Sequence, residues 1–207
     1  MIQGSDEWLA ARAGRVTASR VADLMARTKT GWGASRANYM AELVAERLTS
    51  TPAVRFTNDA MHWGTDTEPM ARETYAFAYD VEIEETGLVM HPTIPDFGAS
   101  PDGLIGTDGL LEIKCPQTAT HIDTLLSGSV PEKYRTQMQA QMACTGRAWC
   151  DFVSFDPRMP AEMQMWVHRV ERDNKAIAEM EAAVNEFLAE LDAKVGALRA
   201  RYMMEAA

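Results

Sequence analysis

The sequence predicts an α/β fold, a central mixed β-sheet flanked by helices, and three observations carry that prediction. Apolar residues recur at helical spacing through roughly the first 80 positions. Two-residue alternation then takes over from Val81 to Cys115. A helix, two strands and a long helical stripe complete the chain, and such an order of helices and strands packs as helices on a sheet.

Residues 17–27 read as a helix capped by Thr17 or Ser19, with Val21, Leu24 and Met25 on one face. Gly31-Trp32-Gly33 reads as a loop. A second helix fits 36–49, with Tyr39, Leu43, Val44 and Leu48 inward. A third fits 65–79 after a break at Gly64, and its Pro69 is tolerable only in the first turn. Val81-Glu-Ile-Glu alternates as a strand does, and Leu88-Val-Met follows the turn residue Gly87. Leu104-Ile105, a turn at Thr107-Asp108-Gly109, and Leu110 to Cys115 make a hairpin that Pro116 stops. Residues 132–145 read as a helix, and Trp149 to Phe155 and Met163 to Val170 as strands. From Arg172 the stripe Ile177, Met180, Val184, Phe187, Leu191, Val195 and Leu198 predicts a terminal helix covering the domain, a subunit contact being the other use of such a face.

The 207 residues fit one domain better than two small ones. It divides into an N-terminal helical part (about 1–80), a sheet core (about 81–170) and a C-terminal helix (about 172–204). With 46% apolar and 24% charged residues, wholesale disorder is excluded. The absence of a long uncharged apolar stretch and of a signal-peptide pattern gives the expectation of a soluble, cytoplasmic protein with no membrane partner. Cys115, Cys144 and Cys150 are too few for a four-thiolate zinc or iron–sulfur site and read as half-buried thiols. The four histidines are dispersed, the fourteen methionines read as core filling, and Trp8 and Trp32 as packing at the core or its rim.

The net charge of −10 hides a gradient. Residues 51–110 carry two basic and eleven acidic side chains. Within 10–36 stand Arg12, Arg15, Arg20, Arg27, Lys29 and Arg36 against the single acid Asp23. That stretch is either a local seat for a polyanion or a solvated helix face.

The chemistry lies around the hairpin. Turning about Thr107 sets Asp102 opposite Glu112, and the two-residue period puts Glu112 and Lys114 on one face with Ile113 on the other. Two carboxylates so close repel unless a proton or cation intervenes. Oxygen ligands select a hard ion, Mg²⁺ with Mn²⁺ as substitute, which polarises a phosphoryl oxygen and acidifies a bound water. Lys114 would orient or help deprotonate that water, or stabilise developing charge. Singly, Pro-Asp-Gly is an ordinary turn and Glu-x-Lys an ordinary wet strand edge. Their combination about one turn points to phosphodiester hydrolysis.

Pro101-Asp102 with Glu112-Ile113-Lys114 resembles the PD-(D/E)xK nuclease motif. The surrounding text resembles the phage lambda exonuclease family, the YqaJ-like viral recombinases, in the family's order from about residue 7 to 175. The matching stretches are Trp8 to Ser19, Trp63-Gly64 with Glu68, Gly98-Ala-Ser-Pro-Asp-Gly-Leu, Gly109-Leu-Leu-Glu-Ile-Lys-Cys-Pro, Tyr134-Arg-Thr-Gln-Met-Gln and Asp156-Pro-Arg-Met. The Lys29 to Ser35 loop and the Lys114–Tyr134 connection are compact by that pattern.

The resemblance implies a restriction-endonuclease-like core and a metal-dependent 5′→3′ exonuclease. It would degrade one strand from double-stranded DNA ends and leave single strands for annealing recombination. Asp102, Glu112 and the Ile113 carbonyl would bind metal, and Lys114 would be catalytic. Glu68 matches a further acidic residue at the site, and Gln137 a glutamine near the catalytic lysine. Arg12, Ser19 and Ser100 match the pocket for the 5′ phosphate, and a capped helix start at Ser19 would add backbone N–H donors to it. Gln141 shares the Gln137 face, Gln139 does not, and only Gln137 is assigned a role. The resemblance also implies a trimeric ring, a single-strand-annealing partner and, if the chain is phage-encoded, the host cytoplasm. An endonuclease or repair nuclease of the same fold, and a non-catalytic recombination scaffold, are the competing functions.

Overall fold

The computed structural model describes residues 1–29, 31–53 and 58–203. Position 204 of the predicted terminal helix and Thr30 of the Lys29 to Ser35 loop lie outside these. Seven α-helices occur among the described residues: α1 (Asp6–Arg12), α2 (Val21–Met25), α3 (Ala34–Thr49), α4 (Asp59–Tyr79), α5 (Thr118–Ser127), α6 (Glu132–Thr145) and α7 (Asn174–Tyr202). The strands are β1 (Val16–Thr17), β2 (Arg27–Thr28), β3 (Gly31–Trp32), β4 (Ile83–Glu84), β5 (Val89–Met90), β6 (Phe97–Ala99), β7 (Gly103–Ile105), β8 (Gly109–Lys114), β9 (Trp149–Phe155) and β10 (Met165–Glu171).

The main sheet is mixed, in the order β10-β9-β8-β7-β4. Only β8 and β9 run parallel, and the other neighbours are antiparallel. A small sheet, β1-β6-β5, lies upstream of the β7–β8 hairpin in sequence, and Ser100-Pro101-Asp102 joins its strand β6 to β7 of the main sheet.

Alternation along β8 divides two cores. Leu110 belongs to a large cluster with Leu24, Tyr39, Leu43, Met138, Met142, Phe152 and the α7 residues Val184, Phe187 and Leu191. Leu111 and Ile113 face the opposite way, joining Ala71 and Tyr75 of α4 with Val153 and Phe155. Each fully buried large side chain contributes about 1.5–3 kcal/mol, so both faces of β8 are fixed. Helices α3, α6 and α7 and strand β9 fall where the residue pattern puts them, with Tyr39 and Leu43 buried and Val44 and Leu48 packed at the rim.

Several local expectations are corrected. The helix predicted over 17–27 is a strand, a 3₁₀ turn (Ala18–Arg20) and a five-residue helix. Val16 and Thr17 are drawn into parallel pairing with Phe97 and Gly98, and neither Thr17 nor Arg20 caps with its side chain. Gly31-Trp32 is not loop but pairs with Arg27–Thr28. Helix α4 begins at Asp59, because Asn58 accepts a hydrogen bond from the Met61 amide at 3.0 Å and caps it. Gly64 does not break it, and Pro69 sits mid-helix rather than in the first turn. The cost of the missing Pro69 N–H is offset by burial of Thr67, Ala71 and Tyr75 on either side of it. The predicted strand at Val81 shortens to Ile83–Glu84.

Helix α5 occupies what reads as a compact connection. Its threonines are poor helix formers, and tertiary bonds hold it. His121 is fully buried between Ser154 Oγ and the Met163 carbonyl, each at 2.8 Å, and Thr118 Oγ1 donates to Asp156 Oδ2 at 2.7 Å. Arg158 closes the node with a bidentate pair to Asp156 at 2.7 and 2.9 Å. Met163 falls in a 3₁₀ turn, so β10 starts only at Met165. No helix among the described residues is long and apolar enough to cross a membrane. The three cysteines are free and buried rather than half-buried.

Burial alone would raise the Asp156 carboxyl, but the hydrogen bonds from Arg158 and Thr118 outweigh it and hold it at about 2. A depressed carboxyl contributes stability above its unfolded value, which is lost as pH falls through the folded one. Asp156→Asn is therefore expected to cost about 2 kcal/mol at neutral pH. In pH-resolved thermal melts the difference from wild type shrinks from about pH 4 towards pH 2. A pH-independent difference would refute this linkage.

Candidate active site

The hairpin register is the one the sequence predicts. Gly103 pairs with Leu111, Leu104 with Leu110 and Ile105 with Gly109, so the turn centres on Thr107. The turn itself is Gly106-Thr107-Asp108, one residue earlier than the Thr107-Asp108-Gly109 signal. Gly106 supplies the positive φ of 50°. Gly109 already lies in β8, where a Cβ would come within 2.2 Å of the Trp149 ring.

Asp102 continues this register opposite Glu112. Its amide donates to the Leu111 carbonyl at 3.1 Å, and its Oδ2 accepts from the Ile113 amide at 2.7 Å. Glu112 has no exposure, and the half-buried Lys114 ammonium forms an ion pair with Glu112 Oε1. The same Nζ donates to the Ile113 carbonyl at 3.0 Å. One cation thus bridges two of the three groups assigned to metal. Gln137 Nε2 donates to Glu112 Oε1 at 2.7 Å, and Tyr134 lies beneath the ammonium at 5.4 Å.

Electrostatics agree with this convergence. Burial, then the charges of Glu112 and Glu68, hold the Asp102 carboxyl well above the usual carboxylate range. Burial also raises Glu68, against the pull of Arg72 and Lys114. For Lys114, burial pulls downward, but Glu112 and Asp102 outweigh it and keep the ammonium protonated above its ordinary range. Two carboxylates and a backbone carbonyl, all hard oxygen donors, suit Mg²⁺ or Mn²⁺ in kind. Their mutual repulsion is the electrostatic signature of a site that a cation relieves.

Glu68 reaches the group from α4, bonded to Arg72 Nη2 at 2.6 Å, while Arg72 Nε donates to the Asp102 carbonyl at 3.2 Å. A cleft of about 500 Å³ opens here, lined by Met61, Gly64, Glu68, Ile113, Lys114 and Tyr134, among others. Arg72 is not among the residues the sequence motifs point to, although its i,i+4 spacing from Glu68 is a usable signal. Gln141, to which the sequence pattern assigns no role, donates its amide to Glu112 Oε2 at 2.5 Å.

Arg12, Ser19 and Ser100 form a connected string. Trp8 Nε1 donates to Ser100 Oγ at 2.9 Å, and the buried Arg12 guanidinium stacks on the Trp8 ring at 4.0 Å. Arg12 Nη2 reaches Thr17 Oγ1 at 3.4 Å, which in turn lies 3.5 Å from the Ser19 hydroxyl. Trp8 therefore links Arg12 to Ser100. The capped helix start expected at Ser19 is not built, since Ser19 lies in the 3₁₀ turn before the short α2.

Three arginines of the basic stretch pair with acids, most of them from distant positions. Arg15 pairs with Asp96, Arg20 with Asp23 and Glu42, and Arg36 with Glu186 and Glu190. Arg27 stacks on Trp32. No broad basic face follows from these residues.

Residues 7–148 match the model of the YqaJ-like viral recombinase domain. The chain belongs to that family. Its structure is similar to LHK-Exo, an alkaline exonuclease from Laribacter hongkongensis. The two share 54% identity over 95% of this chain and 97% of that one, with a TM-score of 0.90. The complex of LHK-Exo with dAMP matches with the same figures. A phage-related exonuclease from Haemophilus somnus 129PT shares the fold at 15% identity, over 89% of this chain and 96% of that one, with a TM-score of 0.73. No curated protein matches the sequence.

The charge balance is directly testable. Lys114→Met leaves the buried Glu112, facing Asp102, without its ion-pair partner and is expected to cost about 3 kcal/mol in denaturant unfolding. Mn²⁺ should recover more stability in this variant than in wild type, because the ion no longer competes with the ammonium. Unchanged stability would mean that the carboxylates do not repel as described.

Proposed function

We propose that the chain is a metal-dependent 5′→3′ exonuclease. It hydrolyses one strand from double-stranded DNA ends and leaves single-stranded DNA for annealing recombination. The observation that carries this reading is contiguity: Ser100, the end of the Arg12–Ser19–Ser100 string, stands two residues before Asp102. A terminal phosphate held by that string lies next to the carboxylates, so the strand that supplies it is the one presented for cleavage. Family membership and the 54% identity to an alkaline exonuclease support the activity. The dAMP complex of that relative supports a site that accepts a deoxynucleoside monophosphate.

Asp102, Glu112 and the Ile113 carbonyl would hold Mg²⁺, with Mn²⁺ as substitute. Once bound, the ion supplies Lewis-acid polarisation of the scissile phosphoryl group and a more acidic water. The remaining work falls to the chain's own groups. Lys114, displaced from Glu112, directs its ammonium to the attacking water or to the charge that develops on the phosphate. Glu68 lines the cleft and accepts a hydrogen bond from water entering there. Gln137 orients Glu112 from α6. Arg12 and the Ser19 and Ser100 hydroxyls bind the 5′ phosphate, a charge-assisted set suited to a terminal dianion. Because Trp8 and Arg12 serve the same site as the sheet, residues 1–207 act as one nuclease domain.

The acidic exterior suits an assembly in which only a channel and the phosphate pocket attract DNA. We propose a trimeric ring in the cytoplasm, working with a single-strand-annealing protein.

Linear duplex with a 5′ phosphate is expected to be degraded at least tenfold faster than its 5′-hydroxyl counterpart, and chelation should abolish both reactions. Arg12→Ala should remove most of the difference between the two ends. Affinity for DNA ends should fall steeply with salt, as phosphate neutralisation requires. Cutting of covalently closed circles would replace the exonuclease with an endonuclease. No cleavage with any divalent ion would leave a binding scaffold.

A further inference from the structure

Glu112 is held at both oxygens from one face of α6. Gln137 reaches Oε1 at 2.7 Å and Gln141 reaches Oε2 at 2.5 Å, the two glutamines standing one helical turn apart. They are not equivalent. Gln137 is half-buried and shares Oε1 with the Lys114 ammonium. Gln141 has no exposure, and its own Oε1 lies 3.9 Å from Cys150 Sγ, within reach of a thiol donor on β9. That contact fixes which end of the amide faces Glu112: the carbonyl end meets the thiol, so the NH₂ end meets the carboxylate.

We propose that Gln141 is a positioning residue for Glu112, anchoring Oε2 so that Oε1 is the oxygen presented to a cation. The inference rests on the metal-dependent nuclease reading above. Oε1 is already the oxygen that meets a positive charge, and that charge also touches the Ile113 carbonyl. The terminal torsion of a glutamate is broad and roughly two-fold. A single hydrogen bond at Oε1 would yield when an ion arrives, because Gln137 and the ion claim the same atom. A donor on Oε2, buried behind the carboxylate and seated against Cys150, does not compete with the ion. It keeps the carboxylate plane fixed as the ammonium leaves, and such outer partners are what orient metal ligands.

Gln141→Met keeps the side-chain length and removes both bonds. In titration calorimetry of the DNA-free protein, its Mn²⁺ dissociation constant is expected to rise at least tenfold. The metal concentration for half-maximal cleavage should rise in parallel, while KM for DNA ends stays within about twofold. Gln141→Asn keeps the amide but is one methylene short of Oε2, and carries the same expectation should the methionine variant not fold. A readout on the wild-type chain needs no variant: the Gln141 side-chain amide protons should exchange slowly with solvent, with and without Mg²⁺. Mn²⁺ affinity equal to wild type in a folded variant, or fast exchange of those protons, overturns the positioning role and leaves the nuclease reading intact. A wild-type chain that binds no Mn²⁺ overturns both.

Discussion

Two carboxylates set opposite each other across a tight hairpin must be neutralised, and much of this structure serves that requirement. Asp102 and Glu112 are brought together by a register centred on Thr107, and neither can retreat. Asp102 is pinned by the backbone of Leu111 and Ile113. Glu112 is shut in by two glutamines and an ammonium. A buried carboxylate without partners would be strongly destabilising, so the bonds around Glu112 are as much a condition of folding as of chemistry. The same arrangement leaves the Lys114 ammonium doing what a divalent ion would do, by touching one carboxylate oxygen and one backbone carbonyl.

The strand that carries this chemistry also separates the two cores, and the two duties are linked by alternation. Leu111 and Ile113 lock β8 against α4, while Glu112 and Lys114 turn to α6. A slip of one residue would bury Lys114 in the α4 core and expose Ile113 to the glutamines, so the apolar packing of one face sets the position of the charged groups on the other. The link to the Arg12–Ser19–Ser100 string is equally short. The segment that carries Asp102 also carries Ser100, and Trp8 fastens that serine while supporting Arg12. Gln3 bonds the Pro101 carbonyl at 2.7 Å and the Thr86 carbonyl at 3.1 Å, tying the N-terminal residues to the same segment.

What is legible in the sequence is what short-range geometry decides. Equal distances from the turn place Asp102 opposite Glu112, and period two puts Lys114 beside Glu112; neither depends on distant packing. The α7 stripe and the bounds of α6 and β9 are legible for the same reason. The helix expected at Thr17 fails because β6, eighty residues away, offers Val16 and Thr17 a partner that local propensity cannot foresee. The ion pairs of the basic stretch are not legible for a similar reason, since Asp96, Glu186 and Glu190 reach Arg15 and Arg36 from far along the chain. Helix α5 is hidden because the Asp156 node and His121, rather than its own threonines, stabilise it. At the candidate site, Asp102, Glu112, Lys114, Glu68 and Gln137 are brought together, but the parts of Gln141, Arg72 and Trp8 depend on which side chains meet in three dimensions.

In the proposed function, the hairpin builds a cation site whose occupant displaces the Lys114 ammonium. Crystals of the wild-type chain grown or soaked with Mn²⁺ and measured at a wavelength giving anomalous scattering test it directly. A hairpin-built site requires an anomalous peak bounded by Asp102, Glu112 and the Ile113 carbonyl, with Nζ of Lys114 moved off that carbonyl. An ion found only elsewhere, with Lys114 still bridging Glu112 and Ile113, would contradict it.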